Sequence, residues 1–250
     1  NHNHFNSVWG PDGNPTMTRA QQEQIAKVHL GALSRLLLLD QKGYLAVLKD
    51  HAWAVAWVPS GTDFVSQYQS PRRVFVMHNQ EAVAPPEISA PVQGTVTATG
   101  VTAVRELRDL VDSFAPVTTI TLRLDWSAPG GRLTLGVNPA TLPAEKFRVL
   151  ALRIGQSIES NNAVNLDQDL TLEVSGGSRT LSIPVSSLHR LLYPDTGGFG
   201  GGKIVMQSLR LSLKRLSRAG VKLRDIRSIA LVLDRRATGT IYVGDVQVSF

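Results

Sequence analysis

The strongest constraint on this chain is a recurring pattern. From about Val92 onward, short runs rich in β-branched and apolar residues are separated by Gly, Pro, Asn and Ser, with no long helical period between them. The runs are Val92–Thr99, Val117–Trp126, Phe147–Ile158, Leu170–Ser175, Arg179–Pro184, Ile204–Leu213, Ile226–Leu233 and Thr240–Phe250. Alternation is clear in two of them. Thr119, Thr121, Arg123 and Asp125 point one way, and Ile120, Leu122, Leu124 and Trp126 the other. Leu209, Leu211 and Leu213 likewise alternate with Arg210, Ser212 and Lys214. One-sided alternation belongs to antiparallel sheets with one wet face. So many short strands without intervening long helices predict a β-sandwich or jelly roll. The composition agrees: 42% hydrophobic, only 18% charged and 21 glycines, enough apolar surface for a core and enough turn residues to connect strands.

The opening of the chain reads differently. Asn1 to Pro15 is polar and turn-rich, with Gly10-Pro11-Asp12-Gly13 and Asn14-Pro15 as breakers. Thr18 followed by Gln21 is a capping box, in which each side chain satisfies a backbone N–H of the other. Ile25, Val28, Ala32, Leu33, Leu36 and Leu37 then recur at helical spacing and predict a helix from about Arg19 to Leu39, with Gly43 as its stop. A short helical turn is expected over Tyr44–Leu48, and Ala54–Val58 and Arg73–Met77 read as short strands. Ala84-Pro85-Pro86 and Ala90-Pro91 break the chain before the β pattern begins. The expected division is therefore a helical segment over 1–50 and a β-sandwich over 51–250.

Several function classes are set aside by composition. With no cysteine, disulfides and thiolate metal sites are excluded. No segment carries the ~18 consecutive apolar residues a membrane helix needs. No signal peptide is in view; because the chain opens on Asn, residue 1 reads as a processing or cloning boundary with any export signal upstream. The net charge is +6, with a local set of Lys203, Arg210, Lys214, Arg215, Arg218, Lys222, Arg224 and Arg227. These cations read as a solvated face, with an anion site as the sharper alternative, and no interleaved aromatics support nucleic-acid stacking. The glycines of Gly197-Gly198-Phe199-Gly200-Gly201-Gly202 follow no strand–helix pattern, so phosphate cradling is not supported.

Two stretches carry a family resemblance. Asn1-His2-Asn3-His4-Phe5-Asn6-Ser7-Val8-Trp9 resembles the catalytic-histidine loop of a group of secreted α/β-hydrolases, and the helix after it resembles that fold's last helix. Asp225 to Asp234 and Gly239 to Val246 are similar to the closing strands of galactose-binding-like jelly rolls, an ending shared with carbohydrate-binding modules. The resemblance implies a mainly β chain: an antiparallel β-sandwich of the jelly-roll, carbohydrate-binding-module-like type, preceded by a short α-helical remnant of an esterase- or lipase-like enzyme. It implies that His2 is the parent's proton-shuttling histidine. Triad order in that fold is nucleophile, acid, histidine. A chain opening at the histidine lacks the other two, and there is no Gly-x-Ser-x-Gly elbow, so triad activity is not expected. The parent is expected to be secreted.

The remaining candidates each have a bland reading. His2 and His4 form a His-x-His pair, short of the three or four ligands zinc takes. Asp245, in the last strand, is the candidate ligand of a structural calcium, with Asp234 and Asp112 as partners; facing solvent or pairing with an arginine is the alternative. Trp126, Tyr193, Phe199 and Tyr242 are the candidate ligand-contacting aromatics, although Trp126 lies on the apolar side of its strand and reads as core. Ser187, His189 and Asp195 are close in sequence but lack an elbow, and Ser187–Leu192 reads as one helical turn. Trp9, Trp53 and Trp57 belong with the helical remnant, whose exposed surface is expected to favour self-association.

Three functions follow from these residues. The first is a non-catalytic accessory module binding a polysaccharide or another polymer, with no cofactor required. The second is an active carboxylesterase, lipase or glycan hydrolase, which predicts convergent carboxylates or a Ser–His contact. The third is a purely structural or assembly domain.

Overall fold

The computed structural model describes residues 17–50, 53–62, 65–78, 94–109, 118–156, 158–194, 204 and 206–250; for 104–109 and 118–119 it describes the backbone alone. The chain forms two compact units, Asn1–Tyr68 and Gln69–Phe250.

In the first unit, helix α1 spans Arg19–Leu38. It starts at the predicted capping box: Gln21 N donates to Thr18 Oγ1 at 3.3 Å and Thr18 N donates to Gln21 Oε1 at 2.8 Å. The stop is not Gly43. The helix ends at Leu38, Asp40 takes a left-handed φ of 48°, and Gln41 N returns to Arg35 O at 3.0 Å. Asp tolerates this conformation because its short polar side chain bonds locally. A 3-10 turn over Lys42–Tyr44 and helix α2, Leu45–Lys49, follow. Ala54–Val58 is not a strand: Val55–Trp57 forms a 3-10 turn. Ala32, Val47 and Ala54 make a small core with Val28, Tyr44 and Leu48 packed on it. Leu33 and Leu37, counted in the apolar stripe, are exposed.

The second unit is the expected sandwich. Its strands are β1 (Arg73–Met77), β2 (Thr95–Thr99), β3 (Thr102–Asp109), β4 (Thr118–Trp126), β5 (Gly131–Gly136), β6 (Val149–Gln156), β7 (Thr171–Gly176), β8 (Arg179–Pro184), β9 (Gln207–Ser212), β10 (Ile226–Leu233) and β11 (Gly239–Ser249). One sheet runs β3-β4-β11-β6-β9, with β1 also on β11; the other runs β2-β5-β10-β7-β8. All these pairings are antiparallel. From β4 to β7 and from β8 to β11 each successive strand changes sheet, which is jelly-roll connectivity. β11 is the central strand of its sheet. β6 lines one edge, while β4 and then β1 line the other.

One core fills the space between the sheets. Leu122, Leu124, Leu152, Ile154, Ile241 and Val243 enter it from the β11 sheet, and Leu133, Leu172, Val174, Ile229 and Leu231 from the other. Each such side chain contributes about 1.5–3 kcal/mol by leaving water.

The sequence pattern missed β3 and β5. β5 is short and closed by glycines that the fold requires: a Cβ on Gly131 would lie 2.6 Å from Gly100 O. The pattern also ran strand β9 too far. The chain bends at Ser212 into helix α3, Leu213–Arg218, and Leu213 and Leu216 bury at helical spacing. Nor is the outward side of the β11 sheet simply wet, because Thr121 is buried and Arg123 and Asp125 are partly so.

Truncation in this core should be costly. Leu124→Ala is expected to lower unfolding stability by about 2–5 kcal/mol in urea denaturation, whereas Val164→Ala at an exposed loop position should change it by less than about 0.5 kcal/mol.

Candidate functional site

The feature that calls for explanation is the outward face of the β11 sheet. All 11 residues of β11 are buried. Ile241, Val243, Val246 and Val248 point into the core, so Tyr242, Gln247 and Ser249 point the other way. Polar strand residues on an outward face are ordinary; buried ones must be paired or they cost free energy. Here Thr121 Oγ1, Gln247 Oε1 and Ser249 Oγ are buried and take no hydrogen bond. Each such group costs on the order of 1–3 kcal/mol relative to a satisfied one.

Cross-strand register places these atoms. Phe75, Gln247, Ala151 and Arg210 succeed one another across β1, β11, β6 and β9. Arg73 lies opposite Ser249 in the next outward pair toward the end of the strand. In the other direction Arg123, Tyr242 and Gly155 form a row. The Tyr242 hydroxyl donates to Glu159 Oε1 at 3.4 Å.

Between those rows the strand is bulged. Val243 pairs with Ile154 and Val246 with Leu152, so Gly244 and Asp245 together oppose Arg153. Such a bulge re-aims side chains. Gly244 makes room for Arg153: a Cβ there would lie 3.2 Å from the Arg153 Cβ. β1 carries a matching irregularity between Phe75 and Met77. The outcome is a pair between a buried carboxylate and a partly buried imidazole. Asp245 Oδ1 lies 2.9 Å from His78 Nδ1, and Asp245 Oδ2 accepts from Gln69 Nε2 at 3.4 Å. The His78 ring stacks on Phe75 with centroids 4.0 Å apart.

At the other end of β11 a loop amide replaces a missing strand neighbour. Asn162 Oδ1 accepts from Thr240 N and Asn162 Nδ2 donates to Thr240 O, both at 2.8 Å. Gln168 Nε2 donates to the same Asn162 oxygen at 2.8 Å. Thr240 Oγ1 donates to Asp125 Oδ1 at 2.6 Å.

The sequence-predicted site residues disperse. Trp126 packs in the core, its Nε1 donating to Arg236 O at 3.1 Å. Tyr193 is partly buried, and its N donates to Asp167 Oδ1 at 3.1 Å. Tyr242 lies on the outward face just described. Asp245 is held by His78 and Gln69, and a cation there would have to displace one of those donors. Asp234 accepts from Thr171 at 3.1 Å. Among the described residues no three His, Cys, Asp or Glu side chains group as a metal site. Ser187 Oγ donates to Pro184 O at 2.8 Å, and His189 Nδ1 lies 2.9 Å from Arg190 O. His2, His4, Trp9, Asp112, Asp195 and Phe199 lie outside the described residues.

No protein-family model matches this chain, and no curated protein matches it in sequence. Solved structures do align with it. The family 11 carbohydrate-binding module of cellulosomal cellulase Lic26A-Cel5E of Clostridium thermocellum aligns at 10% identity and TM-score 0.40, over 72% of this chain and 96% of that one. The C-terminal family 22 carbohydrate-binding module of Clostridium thermocellum Xyn10B aligns at 11% identity and TM-score 0.41, over 72% and 96%. The family 30 module of cellulosomal cellulase Cel9D-Cel44B from the same organism aligns at 10% and 0.38, over 61% and 92%.

Gln247, Ser249, His78 and Gln69 were not singled out in the sequence, and Thr121 was placed only on the outward side of its strand. The alternation of Asp245, Gln247 and Ser249 with Val246 and Val248 marked them as outward, but an outward strand position carries no sign of being buried as well. The Asp245–His78 pair has a direct test. Asp245→Ala should destabilise the fold by about 1–3 kcal/mol, by leaving the His78 and Gln69 donors without their acceptor; thermal denaturation measures it.

Proposed function

We propose that this chain is a non-catalytic accessory module that binds a glycan on the outward face of the β11 sheet. The observation that carries the proposal is the set of orphan polar atoms there, Thr121 Oγ1, Gln247 Oε1 and Ser249 Oγ. A sugar hydroxyl both donates and accepts, so it can serve an amide carbonyl and a side-chain hydroxyl alike. Phe75, which is only partly buried, adds aromatic surface of the kind on which sugar CH faces pack. The three atoms are closed off from solvent, so a ligand must take the place of whatever covers them. The reading that the parent is a secreted ester hydrolase rests on the Asn1–Trp9 segment. A Gly-x-Ser-x-Gly motif encoded upstream supports it, and its absence there removes it.

The orphan atoms give a double signature. Thr121→Val removes an unpaired hydroxyl at nearly constant shape, so it should leave stability unchanged or raise it by up to about 1–3 kcal/mol. The same change should weaken retention on the glycan that the unaltered chain binds. Pull-down on a panel of insoluble polysaccharides, with urea denaturation beside it, reads both. No retention of the unaltered chain on any glycan defeats the proposal.

A further inference from the structure

A second feature lies where β1 begins and β11 ends. Pro71, Arg72, Arg73, Lys146, Phe147 and Phe250 line an open pocket of about 340 Å³. Its walls divide by chemistry. Phe147 and Phe250 meet edge to face with centroids 5.3 Å apart and form the apolar side. Arg72, Arg73 and Lys146 supply three cations. Among the described residues none of the three pairs with an aspartate or glutamate, including Glu145 next to Lys146.

The two guanidinium groups are held in place by ring contacts and a backbone bond. The Arg72 guanidinium carbon lies 4.1 Å from the centre of the Phe250 ring, and that of Arg73 lies 5.1 Å from the Phe75 ring. Arg73 Nη1 also donates to Ser70 O at 2.8 Å. An arginine over an aromatic ring keeps its N–H donors for a planar or tetrahedral anion, and less side-chain freedom is lost when it binds one. Three cationic side chains meet at one opening, where a bound anion would lower their mutual repulsion. One lining residue is next to the polar face in register: Arg73 lies opposite Ser249, whose hydroxyl is one of the orphans.

We infer that this pocket is an anion-recognising subsite, taking a sugar unit that bears a carboxylate or a sulfate group. The inference rests on the glycan reading above and narrows it to acidic glycans. Arg72 and Lys146 hold the anion, Phe147 and Phe250 take the apolar side of the ring, and the rest of the ligand runs toward Ser249 and Gln247.

The test uses the full chain in affinity electrophoresis. Gels contain a neutral β-glucan, a polygalacturonate or a sulfated galactan, and the latter two separate carboxylate from sulfate. At least one acidic polymer should retard the chain about tenfold more strongly than the neutral one, as charge-assisted hydrogen bonds to an anion imply. The double variant Arg72→Gln/Lys146→Gln should lose that preference. Lys214→Gln/Arg218→Gln, the same change of net charge at exposed positions of helix α3, should keep it. Equal retardation by neutral and acidic polymers overturns the subsite and leaves the glycan reading standing. Equal weakening by both double variants overturns it as well, because net charge would then explain the binding. If no polymer retards the chain, the glycan reading fails, and galacturonate titration followed at the Phe147 and Phe250 ring resonances decides the subsite. Shifts abolished by Arg72→Gln/Lys146→Gln uphold it, and no shifts overturn it.

Discussion

Strand β11 is bonded along both edges, to β6 on one side and to β4 and β1 on the other, and it is buried through its whole length. Its valines and isoleucine close the core, and its polar residues form the middle of the outward face. The two roles constrain each other. A strand locked by ladders on both edges cannot slip by one residue without turning Val243 and Val246 outward and Tyr242 and Gln247 into the core. The apolar contacts therefore fix where the unsatisfied polar atoms lie.

Two local devices let one strand serve both layers. At its start, Thr240 lies beyond the end of β6, and the Asn162 amide bonds both of its backbone groups as a neighbouring residue would. Gln156 closes the same corner, donating to Leu166 O at 2.8 Å and accepting from Gln168 N at 2.7 Å. Farther along, the Gly244–Asp245 bulge absorbs one extra residue and lets β1 replace β4 as neighbour. The carboxylate at that bulge is buried, and His78 and Gln69 keep it from being an isolated charge in the interior.

The sandwich was legible because its signal is periodic. β4, β6, β7, β8, β10 and β11 fall close to the apolar, β-branched runs that turn residues set apart in the sequence. β5 was not legible because close approach of Gly100 and of Thr95 demands glycine at its two ends, and glycine carries no strand signal. α3 was hidden because Leu209, Leu211 and Leu213 hold period two up to the residue at which Leu213 and Leu216 change to helical spacing. The candidate site was less legible than the fold. Of the aromatics weighed as ligand contacts, Trp126 lies in the core, as its place on the apolar side of the strand implied. Gln247, Ser249 and Thr121 are unremarkable by type; only their burial without partners sets them apart, and burial is a property of the assembled sheets.

The polar row and the cationic pocket would contribute to recognition in different ways. On the proposed reading, a ligand that meets Thr121, Gln247 and Ser249 would relieve a penalty that the free chain already carries, and one that does not meet them would leave it in place. Exposed cations behave otherwise. When no anion is present, Arg72 and Lys146 remain hydrated at little cost, and an exposed ion pair returns only a modest gain. Their stronger effect is on encounter, because a cluster of one sign draws an oppositely charged chain toward it, an attraction that weakens with added salt. On the proposed reading, the pocket orients an acidic glycan as it arrives, and the hydroxyl pattern lying on Gln247 and Ser249 determines whether it stays.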